Sequence, residues 1–159
     1  MAVTLICVGR LRERFYADAA DEYLKRLKRL MPVTVAELPD EREPPNPSEA
    51  LCEAVMRREG ESILRRVPPH AHVIALCVEG RQRGSEELAA RLQALFTQGK
   101  SELVFIIGGS LGLHPAVTAR ADETLSMSEM TFPHQLARVM LLEQLYRAAK
   151  INAGERYHK

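Results

Sequence analysis

Tryptophan is absent from this 159-residue chain, aromatic residues make up only 5%, and there are three cysteines. Cys7, Cys52 and Cys77 are far apart, odd in number and form no C-x-x-C pair. That excludes a disulfide framework and a cysteine-based zinc site, and it fits a reducing compartment. The five histidines have no metal-ligand spacing with a second His or Cys, so no metal is expected. No stretch offers about 20 uninterrupted apolar residues, so no membrane span is expected. MAVTLICVGRLRER has no basic segment ahead of its short apolar run and does not read as a signal peptide. These absences together predict a soluble, cytoplasmic protein. An excess of one charge is missing too, with 22 Lys plus Arg against 21 Asp plus Glu. Bulk charge cannot drive binding to a polyanion, so any nucleic-acid surface must gather its basic residues on one face.

What is present is a globular composition, 46% hydrophobic and 27% charged, sized for one domain over residues 1–159. Val3 to Val8 reads as a buried strand ended by Gly9. Tyr16, Ala20, Tyr23, Leu24, Leu27 and Leu30 then recur at helical steps, with Lys25, Arg26, Lys28 and Arg29 on the other face. Val33 to Leu38 is a second strand, and Pro39 to Pro47 a polar, proline-rich loop. Asn46-Pro47-Ser48-Glu49 reads as a helix start with Asn46 as the cap. A strand from about His72 to Val78 precedes a helix capped by Ser85 and closed by Gly99. Glu102 to Ile107 forms a fourth strand, followed by a short helix from Pro115 and a strand near Thr124 to Ser126. A long helix runs from about Pro133 to Asn152. Such alternation predicts an α/β fold, a mostly parallel sheet with helices on both faces.

Ligands in open α/β sheets bind at the carboxyl ends of strands. Three strand-ending turns therefore stand out: Leu76 to Gly80, Gly108 to Gly112, and Met127 to Phe132. GGSLG is neither G-x-G-x-x-G nor a P-loop, and taken alone it is either a ligand cradle or a packing turn. Leu125 to Gln135 is either a connection capped near Pro133 or an extended loop gripping a heterocycle between Met130 and Phe132. The last helix is apolar around much of its circumference, which favours a homodimer contact over a monomer core. On it lie Arg138, Glu143 and Arg147; Glu143 and Arg147 are spaced as an i,i+4 pair, and the alternative is that one arginine meets substrate phosphate. His70 and His72 read as solvated, and His114 as a helix cap.

IIGGSLGLH (Ile106 to His114), LSMSEMTFPHQLARVMLLEQLYRA (Leu125 to Ala148) and the terminal GERYHK together resemble the RlmH family. These are small SPOUT-class methyltransferases acting on pseudouridine in bacterial large-subunit ribosomal RNA. VGRLRERF and YLKRL resemble it as well, so the likeness covers essentially the whole chain.

The resemblance implies a C-terminal trefoil knot, which general topology rules would disfavour. It also implies a homodimer through the C-terminal helix, with S-adenosylmethionine bound in the knot. Matched by motif, the cofactor contacts would be Leu76, Gly108, Met127, Ser128, Glu129, Met130, Thr131 and Phe132. The implied reaction moves a methyl group to N3 of a pseudouridine in 23S rRNA of the assembled ribosome. The tail matches Tyr157, His158 and Lys159. In that match His158 is proton acceptor or substrate anchor, Tyr157 stacks on or hydrogen-bonds the base, and Lys159 contacts phosphate; Glu143 is the rival base. Arg12, Arg14, Lys25, Arg26, Lys28, Arg29, Arg156 and Lys159 are the RNA-binding candidates. The alternative is a non-catalytic ribosome-associated RNA-binding protein that retains the fold. A nucleotide-cofactor oxidoreductase lacks its fingerprint.

Overall fold

The computed structural model describes residues 2–158. Its centre is a five-stranded sheet in the order β2-β1-β4-β3-β5, with every pairing parallel. The strands are β1 (Ala2–Val8), β2 (Val33–Leu38), β3 (His72–Gln82), β4 (Glu102–Ile107) and β5 (Glu123–Ser126). β1 and β4 are apolar at almost every position because both faces of the sheet are covered. Side chains alternate between the two layers, as the two-residue period of a strand requires. Val3, Leu5, Cys7, Leu103, Phe105 and Ile107 enter one core cluster. Ile6, Val8, Val104 and Ile106 enter the other.

The first layer is built from α1 (Arg14–Leu27), α3 (Ser85–Thr97) and α5 (His134–Asn152). The second is built from α2 (Glu49–Arg66) and the short α4 (Pro115–Arg120). The chain steps from β3 to β4 on one side and then returns across β3 to β5. The carboxyl ends of β3, β4 and β5, with the turns that leave them, are thereby brought together. The predicted α/β class, parallel sheet and two helical layers are all found.

Local details differ from expectation. The α2 cap is Ser48 rather than Asn46, its side chain accepting from the Leu51 N–H at 3.2 Å. Gly84 caps α3, while Ser85 lies inside the helix and donates its hydroxyl to Gln144 Oε1 at 2.7 Å. His72 is buried rather than solvated, held 2.8 Å from Glu123 Oε1. β3 also runs on to Gln82, because Leu125 of β5 pairs first with Leu76 and again with Arg81. The four intervening residues bulge outward. Gly80 makes that return possible: a Cβ there would stand 2.8 Å from the Leu125 carbonyl carbon and 2.9 Å from the Ser126 nitrogen.

Much of the surplus apolar surface on α5 is consumed inside the chain. Leu141, Leu142, Leu145 and Ala148 are fully buried among α1, α3 and the sheet. Leu136, Val139 and Met140 keep partial exposure.

Candidate functional site

At the carboxyl edge of the sheet lies a cleft of about 1100 Å³. Its walls are the three turns singled out by sequence, together with the start of α5. Leu76 and its bulge form one side, and the Gly108–Leu113 turn another. Met127, Ser128, Met130, Thr131 and Phe132 form the third. Of the eight expected cofactor residues only Glu129 is not on the wall; it is exposed at the loop tip.

The glycine turn is tight. Gly112 has φ +87° and donates its N–H to the Gly109 carbonyl at 3.1 Å, closing the loop on itself. At Gly108 a Cβ would meet Leu113 Cδ2 at 2.9 Å and the Gly112 oxygen at 3.0 Å. Only glycine lets the strand end stand this close to the returning chain. The Met127–Phe132 loop braces itself: the Ser126 hydroxyl donates to the Ser128 carbonyl at 2.9 Å, and Ser128 Oγ accepts from the Met130 N–H at 3.0 Å. Those contacts fix the bends of the segment, and Met130 stands out at the rim, 72% exposed.

α5 begins on the cleft wall. His134 lines it, and burial first, then the Arg138 and Arg12 charges, hold its imidazole below the usual range. Arg138, which the sequence places on the last helix as one of the arginines that could meet substrate phosphate, is instead turned inward. Its guanidinium is buried, donating to Glu37 Oε2 of β2 at 2.6 Å and to the Gly9 carbonyl at 2.8 Å. That clamp ties the start of α5, and the loop before it, to the ends of β1 and β2. Glu59 of α2 is a residue that sequence reasoning missed; it sits behind the glycine turn, and nothing in the local pattern marks it.

Among the described residues of the tail, Tyr157 and His158 do not line this cleft within one chain. Tyr157 packs on α5 instead, edge-on to Tyr146, with the Arg147 guanidinium 4.7 Å above its ring. Its hydroxyl donates to Glu143 Oε1 at 3.2 Å. His158 Nδ1 stands 3.3 Å from Arg147 Nη1. Glu143 also takes Arg147 Nη2 at 2.5 Å and Gln144 Nε2 at 2.7 Å, so the expected i,i+4 pair is part of a larger network. The network borders a second cavity of about 530 Å³, which shares Leu125, Ser126 and Met127 with the cleft. Lys159 lies outside the described residues.

Several basic candidates are already paired. Arg12 meets Asp40 at 3.4 Å, Arg14 meets Asp18 at 3.7 Å, and Arg26 meets Glu22 at 2.8 Å. Lys25 on α1 and Lys28 and Arg29 just beyond its end are exposed and make no ion pair among the described residues. No helix among those residues is long and apolar enough to cross a membrane. The cleft wall offers an apolar floor, glycine-lined backbone and a few hydroxyls, a combination suited to an elongated ligand held by main-chain groups.

Comparison with known proteins agrees with this geometry. A family model described as "Predicted SPOUT methyltransferase" matches residues 1–158. "Ribosomal RNA large subunit methyltransferase H" of Bifidobacterium animalis subsp. lactis is 52% identical over 159 residues, covering all of both chains. The protein of the same name from Bacillus thuringiensis is 51% identical, again over both full lengths. Among solved structures, a "probable methylase family protein" from Haemophilus influenzae superposes with a TM-score of 0.53 at 13% identity. That match covers 99% of this chain and 70% of the other, and it shows a shared fold.

Proposed function

The chain belongs to the SPOUT methyltransferase family, in its ribosomal RNA large subunit methyltransferase H branch, and from that premise we propose that it methylates N3 of a pseudouridine in 23S rRNA of the assembled ribosome. At the coarser level it is a ribosomal RNA methyltransferase, with S-adenosylmethionine as methyl donor. One observation carries the reading. Three segments far apart in sequence, the Leu76 bulge within β3 and the turns that end β4 and β5, meet in one cleft.

The residues fit the donor. Backbone groups at Leu76, Gly108 and Met127–Phe132 would hold its heterocycle and ribose, with Leu76, Met127 and Phe132 as apolar walls. The sulfonium of the bound donor supplies the electrophilic methyl group. What remains for the protein is to align the acceptor and to take the N3 proton. Glu143 is unsuited to that task, because Tyr157, Gln144 and Arg147 already occupy its carboxylate oxygens. His158 is the better proton acceptor or substrate anchor, with Tyr157 against the base and Lys159 on phosphate. Within one chain Tyr157 and His158 are docked on α5, away from the cleft wall, so in this reading the tail serves the cleft of a second copy. A homodimer through the half-exposed Leu136, Val139 and Met140 of α5 would bring the two together. Membership of the family also implies the trefoil knot.

The test is incubation of purified protein with labelled S-adenosylmethionine and either 70S ribosomes or free subunits. Label at N3 of a 23S rRNA pseudouridine, in 70S particles above all, is the expected result. Donor binding with no label on rRNA would refute the assignment and favour a ribosome-associated RNA-binding protein.

A further inference from the structure

The glycine turn has a second neighbour besides the cleft. Behind it, on α2, Glu59 is only 5% exposed, an uncommon position for an unpaired carboxyl group. An ideal Cβ on Gly109 would stand 3.1 Å from both Glu59 oxygens. The next residue on the helix, Gly60, is equally close to the far end of the turn: its Cβ would meet His114 Cβ at 3.1 Å and Val117 Cγ2 at 3.3 Å. On its other side Glu59 Oε2 accepts the Glu41 N–H at 3.2 Å. Glu41 belongs to the proline-rich loop, which is tied down twice more, by Arg58 to the Glu41 carboxylate at 3.4 Å and by the Ser110 hydroxyl to Glu43 at 3.2 Å. The loop therefore spans from Glu59 to the glycine turn, and the Glu59 carboxyl group sits between them.

Resting on the methyl-donor reading of the cleft, we propose that Glu59 is a positioning residue for donor binding, a wedge whose length sets where the Gly108–Gly112 wall stands. It touches neither the cleft nor any reacting atom. A buried carboxyl is a demanding choice for mere packing, since an apolar side chain would fill the same space without a desolvation cost. What the carboxyl adds is an acceptor for the Glu41 amide and a fixed distance to Gly109. Burial pushes its pKa above the usual range, opposed by the Glu41 amide and reinforced by Asp40, Glu41 and Glu43 of the loop. The glutamine side chain keeps the same length and an acceptor oxygen while removing the charge, so the two contributions can be separated.

Three variants, Glu59→Gln, Glu59→Asp and Gly109→Ala, with the Glu59→Asp/Gly109→Ala double variant, separate length from charge. Each is read by calorimetric titration with S-adenosylmethionine and by amide exchange of the ligand-free protein. Wild-type binding of the donor is the control for the parent reading; its absence would refute that reading and not the wedge. Glu59→Gln is expected to keep donor affinity within about 2-fold. Glu59→Asp, shorter by one methylene, is expected to weaken it about 10-fold and to speed exchange at residues 108–112 and at Glu41. Gly109→Ala alone should also weaken binding about 10-fold, because its methyl group meets the carboxylate. In the Glu59→Asp background that second loss should shrink to about 2-fold, a coupling that independent sites would not show. Additive effects, or a Glu59→Gln loss equal to that of Glu59→Asp, would overturn the proposal. So would Glu59→Asp binding the donor as wild type does.

Discussion

β5 delivers the chain to the Met127–Phe132 loop, and its first residue is anchored by charge. Glu123 takes Arg91 Nη2 at 2.6 Å and Nε at 2.9 Å, His72 Nε2 at 2.8 Å and Arg83 Nη2 at 3.0 Å. Burial alone would push this carboxyl group up. The hydrogen bonds from Arg91, His72 and Arg83 and the Arg91 charge outweigh it and hold the pKa at about 2, against an ordinary 4.5. At about 1.4 kcal/mol per unit, that difference corresponds to roughly 3 kcal/mol of folding stability. Solvent at the open edge of the cluster screens the charges and brings the working figure to about 2 kcal/mol.

The sign follows from a folded-state pKa below the unfolded one. The contribution is complete above pH 4.5 and declines as the pH falls towards 2. Glu123→Gln should therefore lower stability by about 2 kcal/mol at pH 7, and the gap to wild type should narrow to under about 1 kcal/mol at pH 3. Urea unfolding at one fixed protein concentration measures both gaps and keeps any oligomer equilibrium constant. A gap equal at the two pH values, or none at pH 7, would refute the electrostatic account of how β5 is held.

Three further outcomes follow from other contacts. Gly80→Ala places a methyl group against the Leu125 backbone and should cost about 1–3 kcal/mol in urea unfolding, with donor affinity falling because Leu76 moves with the bulge. Arg138→Met strips Glu37 and the Gly9 carbonyl of their buried donor. Because Glu37 is 41% exposed, water compensates part of the loss, and about 2 kcal/mol of destabilisation is expected by the same assay. His158→Ala should lower methyl transfer about 100-fold, as loss of a proton acceptor does, with donor affinity within about 2-fold of wild type by calorimetry. A large loss of donor affinity would instead place the tail in the donor site.

The sheet was legible because burial on both faces forces β1 and β4 to be apolar at almost every position, and because glycines and prolines punctuate the elements. Caps were less so. Asn46 and Ser48 both satisfy the chemistry of an N-cap, and only the path of the loop decides that Ser48 turns its oxygen to the Leu51 amide. His72 shows the same limit. Beside Pro68-Pro69 it reads as solvated, yet its partner Glu123 lies 51 residues away on a neighbouring strand. The second pairing of β3 with β5 was invisible for a different reason. A bulge of four residues leaves no periodic trace, and Gly80 looks like an ordinary turn glycine until Leu125 is seen beside it.

The cleft itself could be located from sequence without knowing its contents, because strand ends in a parallel sheet share one edge. Which residues stand behind that edge could not. Glu59 and Arg138 act on the cleft wall from opposite layers, one through the glycine turn and the other through the start of α5. Each is a charged side chain buried in an otherwise apolar helix face, a pattern that composition scores as an interruption. Their partners, Gly109 and Glu41 for the first, Glu37 and Gly9 for the second, are all far away along the chain. A binding wall made of flexible turns keeps its shape only if something rigid holds it from outside. Here that support comes from the two long helices α2 and α5, so Glu59→Asp and Arg138→Met should weaken donor binding by calorimetry without touching the donor, while substitutions at Lys25, Lys28 or Arg29 should leave it unchanged.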